Sequence, residues 1–126
     1  MEIIIYGLTR CRQTQKALSW LRDKGLVYTF QDFKKIGISN AKLEKWGSDH
    51  QWEEMLNRKG PAWRHLDQRL RDMVQTKSDA LELMHQNPNL IRRPVLECGD
   101  YVLFGFDEQK YMEVFRNDPL NHDVLK

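Results

Sequence analysis

The sequence predicts an α/β fold: a mixed four-stranded sheet with a block of helices inserted in its middle. Three observations carry this. The chain opens with a short β-branched run, an amphipathic stretch and a second β-branched and aromatic run, joined by short links. It closes with two apolar runs separated by Gly99-Asp100 and followed by another amphipathic stretch. Between these ends, from Ser39 to Asn87, apolar residues recur at helical spacing without strand-like alternation.

The first strand is expected over Glu2 to Tyr6, with Gly7 marking its end. Cys11, Thr14, Ala17, Leu18 and Leu21 then fall on one face of a helix running from about Cys11 to Lys24, with Thr9 as N-cap and Gly25 as the stop. Val27 to Phe33 reads as a second strand, and a strand–helix–strand unit with short links makes the two strands parallel. In the middle, Ser39 is expected to cap a helix carrying Leu43 and Trp46 and ended by Gly47. Asp49 is expected to cap a second helix burying Trp52, Met55 and Leu56. Gly60-Pro61 breaks the chain before a third helix, with Leu66, Leu70, Met73 and Val74 on its inner stripe. Ser78 opens a fourth, with Ala80, Leu81 and Met84 inward, stopped by Asn87-Pro88. Pro94 to Cys98 and Tyr101 to Phe104 form a hairpin whose two-residue turn begins with Gly. Asp107 caps a last helix that buries Tyr111, Val114 and Phe115, and Asn117 to Lys126 is a loose tail.

A βαβ unit followed by a ββα unit is the thioredoxin arrangement, here with helices in place of the usual connection. The expected organisation is one domain over residues 1–116, with the helical insertion at about 38–90 and the tail at 117–126. Composition agrees: of the 126 residues, 40% are hydrophobic and 30% charged, the balance of a globular domain with a real core. Twenty Lys plus Arg against 18 Asp plus Glu leave a net charge of +2, too little for a bulk nucleic-acid binder. The longest apolar run, Ile3 to Tyr6, is too short for a membrane span or a signal-peptide core, so a cytoplasmic location without membrane association is expected. Two cysteines cannot build a disulfide scaffold, and no Cys/His spacing suits zinc.

Chemistry centres on Cys11. It lies just past the first strand, at the start of a helix, where unpaired backbone N–H groups and the helix dipole favour a thiolate; Arg10 and Arg12 flank it. A small buried hydrophobe on the inner face of the helix is the competing reading, since free cysteine is commonly buried. Arg92-Arg93-Pro94 is the second feature. Pro94 opens a strand, where its missing N–H is tolerated, and in a thioredoxin-like sheet a proline there faces the nucleophile across a cis bond. Taken alone, the two arginines are a solvated basic turn. Arg58, in Asn57-Arg58-Lys59-Gly60, is expected at a helix C-terminus for dipole reasons, and matters to the site only if it points back at Cys11. Trp63-Arg64-His65 and the scattered His50, His85 and His122 offer no metal set, and Cys98, four residues beyond Pro94 on one strand, belongs to the core.

Ile5-Tyr6-Gly7 with Cys11, Asp32-Phe33, Leu56 to Gly60 with Trp63 and Leu66, Asn87-Pro88, Leu90 to Val95 and Gly105-Phe106 together resemble the arsenate reductase (ArsC)/Spx family. The resemblance runs from Glu2 to Phe115 and is closest to a small bacterial branch proposed to be glutathione-dependent thiol reductases. It implies a thioredoxin-like fold with a helical insertion, Cys11 as nucleophile, and Arg12, Arg58, Arg93 and Pro94 around the bound anion. It also implies no resident cofactor, glutathione or glutaredoxin as the partner thiol, and a small oxyanion or mixed disulfide as substrate. Two departures bear on these implications. Glutaredoxin-linked arsenate reductases carry a third arginine after the hairpin, where this chain has Phe104-Gly105-Phe106, which weakens the case for arsenate. The Spx branch often carries a Cys-x-x-Cys switch, whereas position 14 here is Thr14, which leaves a disulfide-independent regulator binding RNA polymerase as the alternative.

Overall fold

The computed structural model describes residues 2–116; the tail expected over 117–126 lies outside them. Strands β1 (Ile3–Gly7), β2 (Thr29–Asp32), β3 (Val95–Cys98) and β4 (Tyr101–Phe104) form one sheet in the order β2-β1-β3-β4. β1 and β2 are parallel, as the short crossover through helix α1 (Arg12–Asp23) requires, while β3 runs antiparallel to both β1 and β4. The mixed sheet with its helical insert is therefore the thioredoxin-like α/β fold.

The register explains the core. Phe30, Ile5, Leu96 and Leu103 stand directly opposite one another across the four strands and so share one face. Onto this face pack Ala17, Trp20 and Leu21 of α1 and Tyr111, Val114 and Phe115 of the last helix, α8 (Glu108–Arg116). Trp20 meets the edge of Tyr111 at 5.6 Å between ring centroids, and Tyr111 meets Phe106 at 4.9 Å, both nearly perpendicular, the favoured aromatic geometry. The Asp107 carboxylate accepts from the backbone N–H groups of Gln109 and Lys110, capping α8 as its sequence suggests. On the other face, Tyr6 donates a buried 2.8 Å hydrogen bond to Glu97, which raises the phenol's pKa through burial first and then through the bond to the carboxylate. Gly99 has φ +59, as the first residue of the tight hairpin turn needs. Cys98 is fully buried in the core.

The chain forms two compact units: the sheet with α1 and α8, and a helical unit, Phe33–Arg92. The helical unit contains α2 (Phe33–Ile36), α3 (Asn40–Gly47), α4 (Trp52–Met55), α5 (Pro61–Arg64), α6 (Gln68–Asp72), α7 (Lys77–Gln86) and a 3-10 turn, Pro88–Leu90. Trp46, Leu43, Met55, Leu56, Met84, Leu90 and Ile91 are fully or almost fully buried and make its core. Ser39 caps α3, its hydroxyl accepting from the Lys42 N–H at 3.1 Å.

Several expected boundaries move. β2 starts at Thr29, because Val27 stays 89% exposed in the loop after Gly25, and Phe33 turns inward as the first residue of α2. The N-cap of α1 is Cys11 rather than Thr9, whose hydroxyl instead donates to Asp32. Gln51 rather than Asp49 precedes α4, and Leu56 leaves the helix to bridge Ile91. The third expected helix is two short ones, α5 and α6, and its stripe is not inward: neither helix buries a residue. Thr76 rather than Ser78 caps α7 through a reciprocal capping box with Asp79, which satisfies two helix-end donors where Ser78 would satisfy one.

Candidate active site

β1 delivers the chain to the site and α1 carries it away. Gly7 ends β1 where α1 approaches so closely that a Cβ on it would lie 2.5 Å from Oγ1 of Thr14. The turn that follows is closed by the Cys11 N–H donating to the Leu8 carbonyl at 3.0 Å. Cys11 then takes an extended conformation (φ −76, ψ 124) as N-cap, and its carbonyl accepts the first helical bond, from the Gln15 N–H. An N-cap side chain points at the free N–H groups of the first turn, so the sulfur stands where Ser or Asp oxygen usually stands.

Antiparallel pairing brings the second part. Tyr6 pairs with Val95, so the residues just before β3 lie beside the end of β1. Those residues are Arg93 and Pro94, joined by a cis peptide bond as expected, and the Pro94 carbonyl is held at 2.9 Å by the Gly105 N–H. Arg93 reaches the Cys11 sulfur and hydrogen-bonds it.

The Cys11 thiol is half-buried, and burial is the largest single influence on it, pushing its pKa up. Against burial act hydrogen bonds from the Thr14 hydroxyl and the Thr14 backbone N–H, then the bond and the positive charge of Arg93. Together they outweigh it, and the thiol sits below its ordinary range. The Thr14 side chain is fully buried and its hydroxyl has no partner at standard hydrogen-bond geometry, so its bond to the Cys11 sulfur is a loose one. A neutral thiol is a weak acceptor, so that hydroxyl is well satisfied only once the sulfur is ionised.

Arg12, the first helical residue, is exposed and lines a shallow cleft of about 420 Å³ along α1 with Gln15, Lys16, Trp20 and Phe106. Arg58 belongs to the helical unit, exposed, with its guanidinium 5.5 Å from the centre of the Trp52 ring. Arg10 is exposed in the turn before Cys11. Cys98 pairs with Ile3, at the far end of β1, and both cysteines are free thiols. Thr14 and Gly7 are the participants that sequence reasoning missed. The sequence marks Thr14 as a core-face residue standing in place of a second cysteine, and its position three residues after the N-cap is the signal for its role. Gly7 carries no sequence signal beyond the end of a strand. Among the described residues no group of three His, Cys, Asp or Glu side chains is arranged to hold a metal ion. No helix there is long and apolar enough to cross a membrane.

A nucleophile-competent cysteine between a β1–α1 turn and a cis proline has counterparts in known proteins. The model of the ArsC family matches residues 6–114. The chain belongs to the ArsC family. Among solved structures, the YFFB protein is 36% identical, with a TM-score of 0.84, over 88% of this chain and 96% of its own. The solution structure of an ArsC-related protein from Brucella melitensis is 38% identical, with a TM-score of 0.70, over 92% and 96% of the two chains. An uncharacterised Haemophilus influenzae protein is 30% identical over 90% of this chain and 98% of its own. The global transcriptional regulator Spx of Enterococcus faecalis is 22% identical over 92% and 88%. The relatives of this chain thus include one named as related to arsenate reductase and one named for transcriptional regulation, and Cys11 lies within the span that the family model matches.

Proposed function

We propose that this ArsC-family chain is a thiol-dependent reductase in which Cys11 is the one nucleophile and an external thiol, glutathione alone or through glutaredoxin, completes the cycle. The observation that carries this reading is the Cys11 sulfur itself: an N-cap position, with Thr14 and Arg93 holding its pKa down. Cys98 is buried at the other end of β1, so the second thiol must come from outside.

On a glutathione mixed disulfide, the Cys11 thiolate attacks the glutathione sulfur. A Cys11–glutathione disulfide forms, the substrate sulfur leaves as thiolate and takes a proton from solvent, and Arg93 holds the charge. A second glutathione thiolate then attacks the adduct, releasing glutathione disulfide and restoring the Cys11 thiolate. The net change is an exchange: one mixed disulfide and one glutathione thiol give the substrate thiol and glutathione disulfide, so the added glutathione supplies the reduction. Arg93 with Pro94, and Arg12 at the helix start, are proposed to bind the anionic groups of the substrate, since guanidinium forks suit carboxylates and tetrahedral oxyanions alike.

Mass spectrometry after incubation with oxidised glutathione tests this. One glutathione adduct on Cys11, absent in Cys11→Ser and removed by reduced glutathione, supports the reductase; an unmodified Cys11 overturns it. A second reading, a regulator that binds RNA polymerase without turnover, draws on the Spx relative. Under that reading Cys11→Ser keeps full polymerase binding, and the wild-type protein shows no thiol turnover.

A further inference from the structure

The helical unit carries a groove unrelated to Cys11. It has a volume of about 660 Å³ and lies along α7, between Asn40 and Glu44 of α3 and the stretch Leu70 to Val74. Its floor is apolar, with Leu81, Leu83 and Val74. Its edge carries Leu70 and Met73, which are 41% and 64% exposed although their spacing matches an inward stripe. Of the five large apolar side chains exposed among the described residues, these two share one groove.

The rim has a single sign of charge. Glu44 on α3 and Asp79 and Glu82 on α7 line the groove, and no Lys or Arg does. Asp79 is committed to the capping box, and the Glu82 carboxylate accepts from Gln86 one turn on, so both are held in place along the rim. The whole chain is nonetheless cationic, at +2. The acidic rim is therefore a local feature of this groove, and it favours a basic partner.

We propose that this groove docks a basic amphipathic helix of a partner protein, whose apolar face covers Leu70 and Met73 while its Lys or Arg side chains meet Glu44 and Glu82. The lining favours a helix: Ser78 to Gln86 of α7 border the groove over about two turns, the length over which i, i+3, i+4 and i+7 anchors repeat. Methionine at the edge suits such a surface, because its unbranched side chain repacks against different apolar partners.

The probe is a labelled helical peptide of about 14 residues, with Leu at i, i+3, i+4, i+7 and Lys elsewhere, against the same pattern with Glu in place of Lys. Fluorescence anisotropy is expected to show saturable binding of the Lys peptide that weakens with salt, and weaker or no binding of the Glu peptide. Amide shifts should concentrate in residues 40–44 and 70–86. Leu70→Ser and Met73→Ser, at exposed positions that leave the melting temperature close to wild type, should each weaken binding about tenfold. Glu44→Gln and Glu82→Gln should each weaken it about two- to fivefold. Equal binding of the Glu peptide, affinity unchanged in all four variants, or shifts centred elsewhere would overturn the proposal. So would a Met73-dependent dimer in sedimentation, which assigns the groove to a second copy, or tighter binding of a long-chain alkylammonium, which assigns it to a small amphiphile.

Discussion

Removing the Thr14 hydroxyl while keeping its shape separates the contributions that hold the Cys11 thiol down. In Thr14→Val the backbone N–H and Arg93 remain but the buried hydroxyl does not, so the thiol pKa should rise and alkylation near pH 7 should slow. Arg93→Gln removes a charge and a donor, and should shift the pKa the same way. The two effects should not add, because both act on one sulfur. Thiolate absorbance against pH, with Cys11→Ser as blank, reads both. The same shift couples to stability. The folded thiol is more acidic than the unfolded one, whose pKa is about 8.5. Its contribution is therefore fully present above the unfolded value and is lost as pH falls through the folded value. The urea midpoint of the wild type relative to Cys11→Ser should thus increase from acid toward pH 9. A difference that shrinks with rising pH would mean that burial prevails over the donors.

At the level of single elements, the site depends on how tightly α1 meets the end of β1. Gly7→Ala places a methyl 2.5 Å from Thr14 Oγ1 and 2.8 Å from its Cγ2, so Thr14 must move. Overpacking of this kind costs about 1–3 kcal/mol. The expected result is a lower urea midpoint together with a raised Cys11 pKa; a destabilised protein with an unchanged thiol would separate packing from chemistry. In the helical unit, Thr76→Ala removes a cap of α7 and should cost about 1 kcal/mol by chemical denaturation. Sequence was a good guide where local chemistry dominates: Ser39, Asp107, Gly25 and Gly99 do what their residue types suggest. It failed where several adjacent residues compete for one task. Thr76 and Ser78 are both plausible caps, and Asp79 decides between them by reaching back to the Thr76 N–H. Leu66, Leu70, Met73 and Val74 have helical spacing, but two short helices interrupt the stripe, which no local rule forbids.

Across the whole molecule, the sheet unit is assembled from the two ends of the chain, since β1 pairs with β3 more than 80 residues later. A chain ended at residue 92 keeps β1, α1 and β2 but exposes the β1 edge and loses Tyr111, Val114 and Phe115 from the core. It should show no cooperative thermal transition for this unit, and Cys11 should titrate near the ordinary thiol value of about 8.5. A retained low pKa would show that the helix start suffices without Arg93. The same long-range pairing marks the boundary of what the sequence alone determined. The fold class, the parallel first pair, the hairpin, the core of α8 and the place of Cys11 beside a helix start follow from periodicity, turn residues and chain position, all properties of neighbours along the chain. That Arg93 bonds the Cys11 sulfur, that Thr14 turns its hydroxyl to it, and that Leu70 and Met73 remain uncovered were decided only by tertiary structure. Strand register and helix packing set those contacts, and they join residues whose separation along the chain carries no local signal.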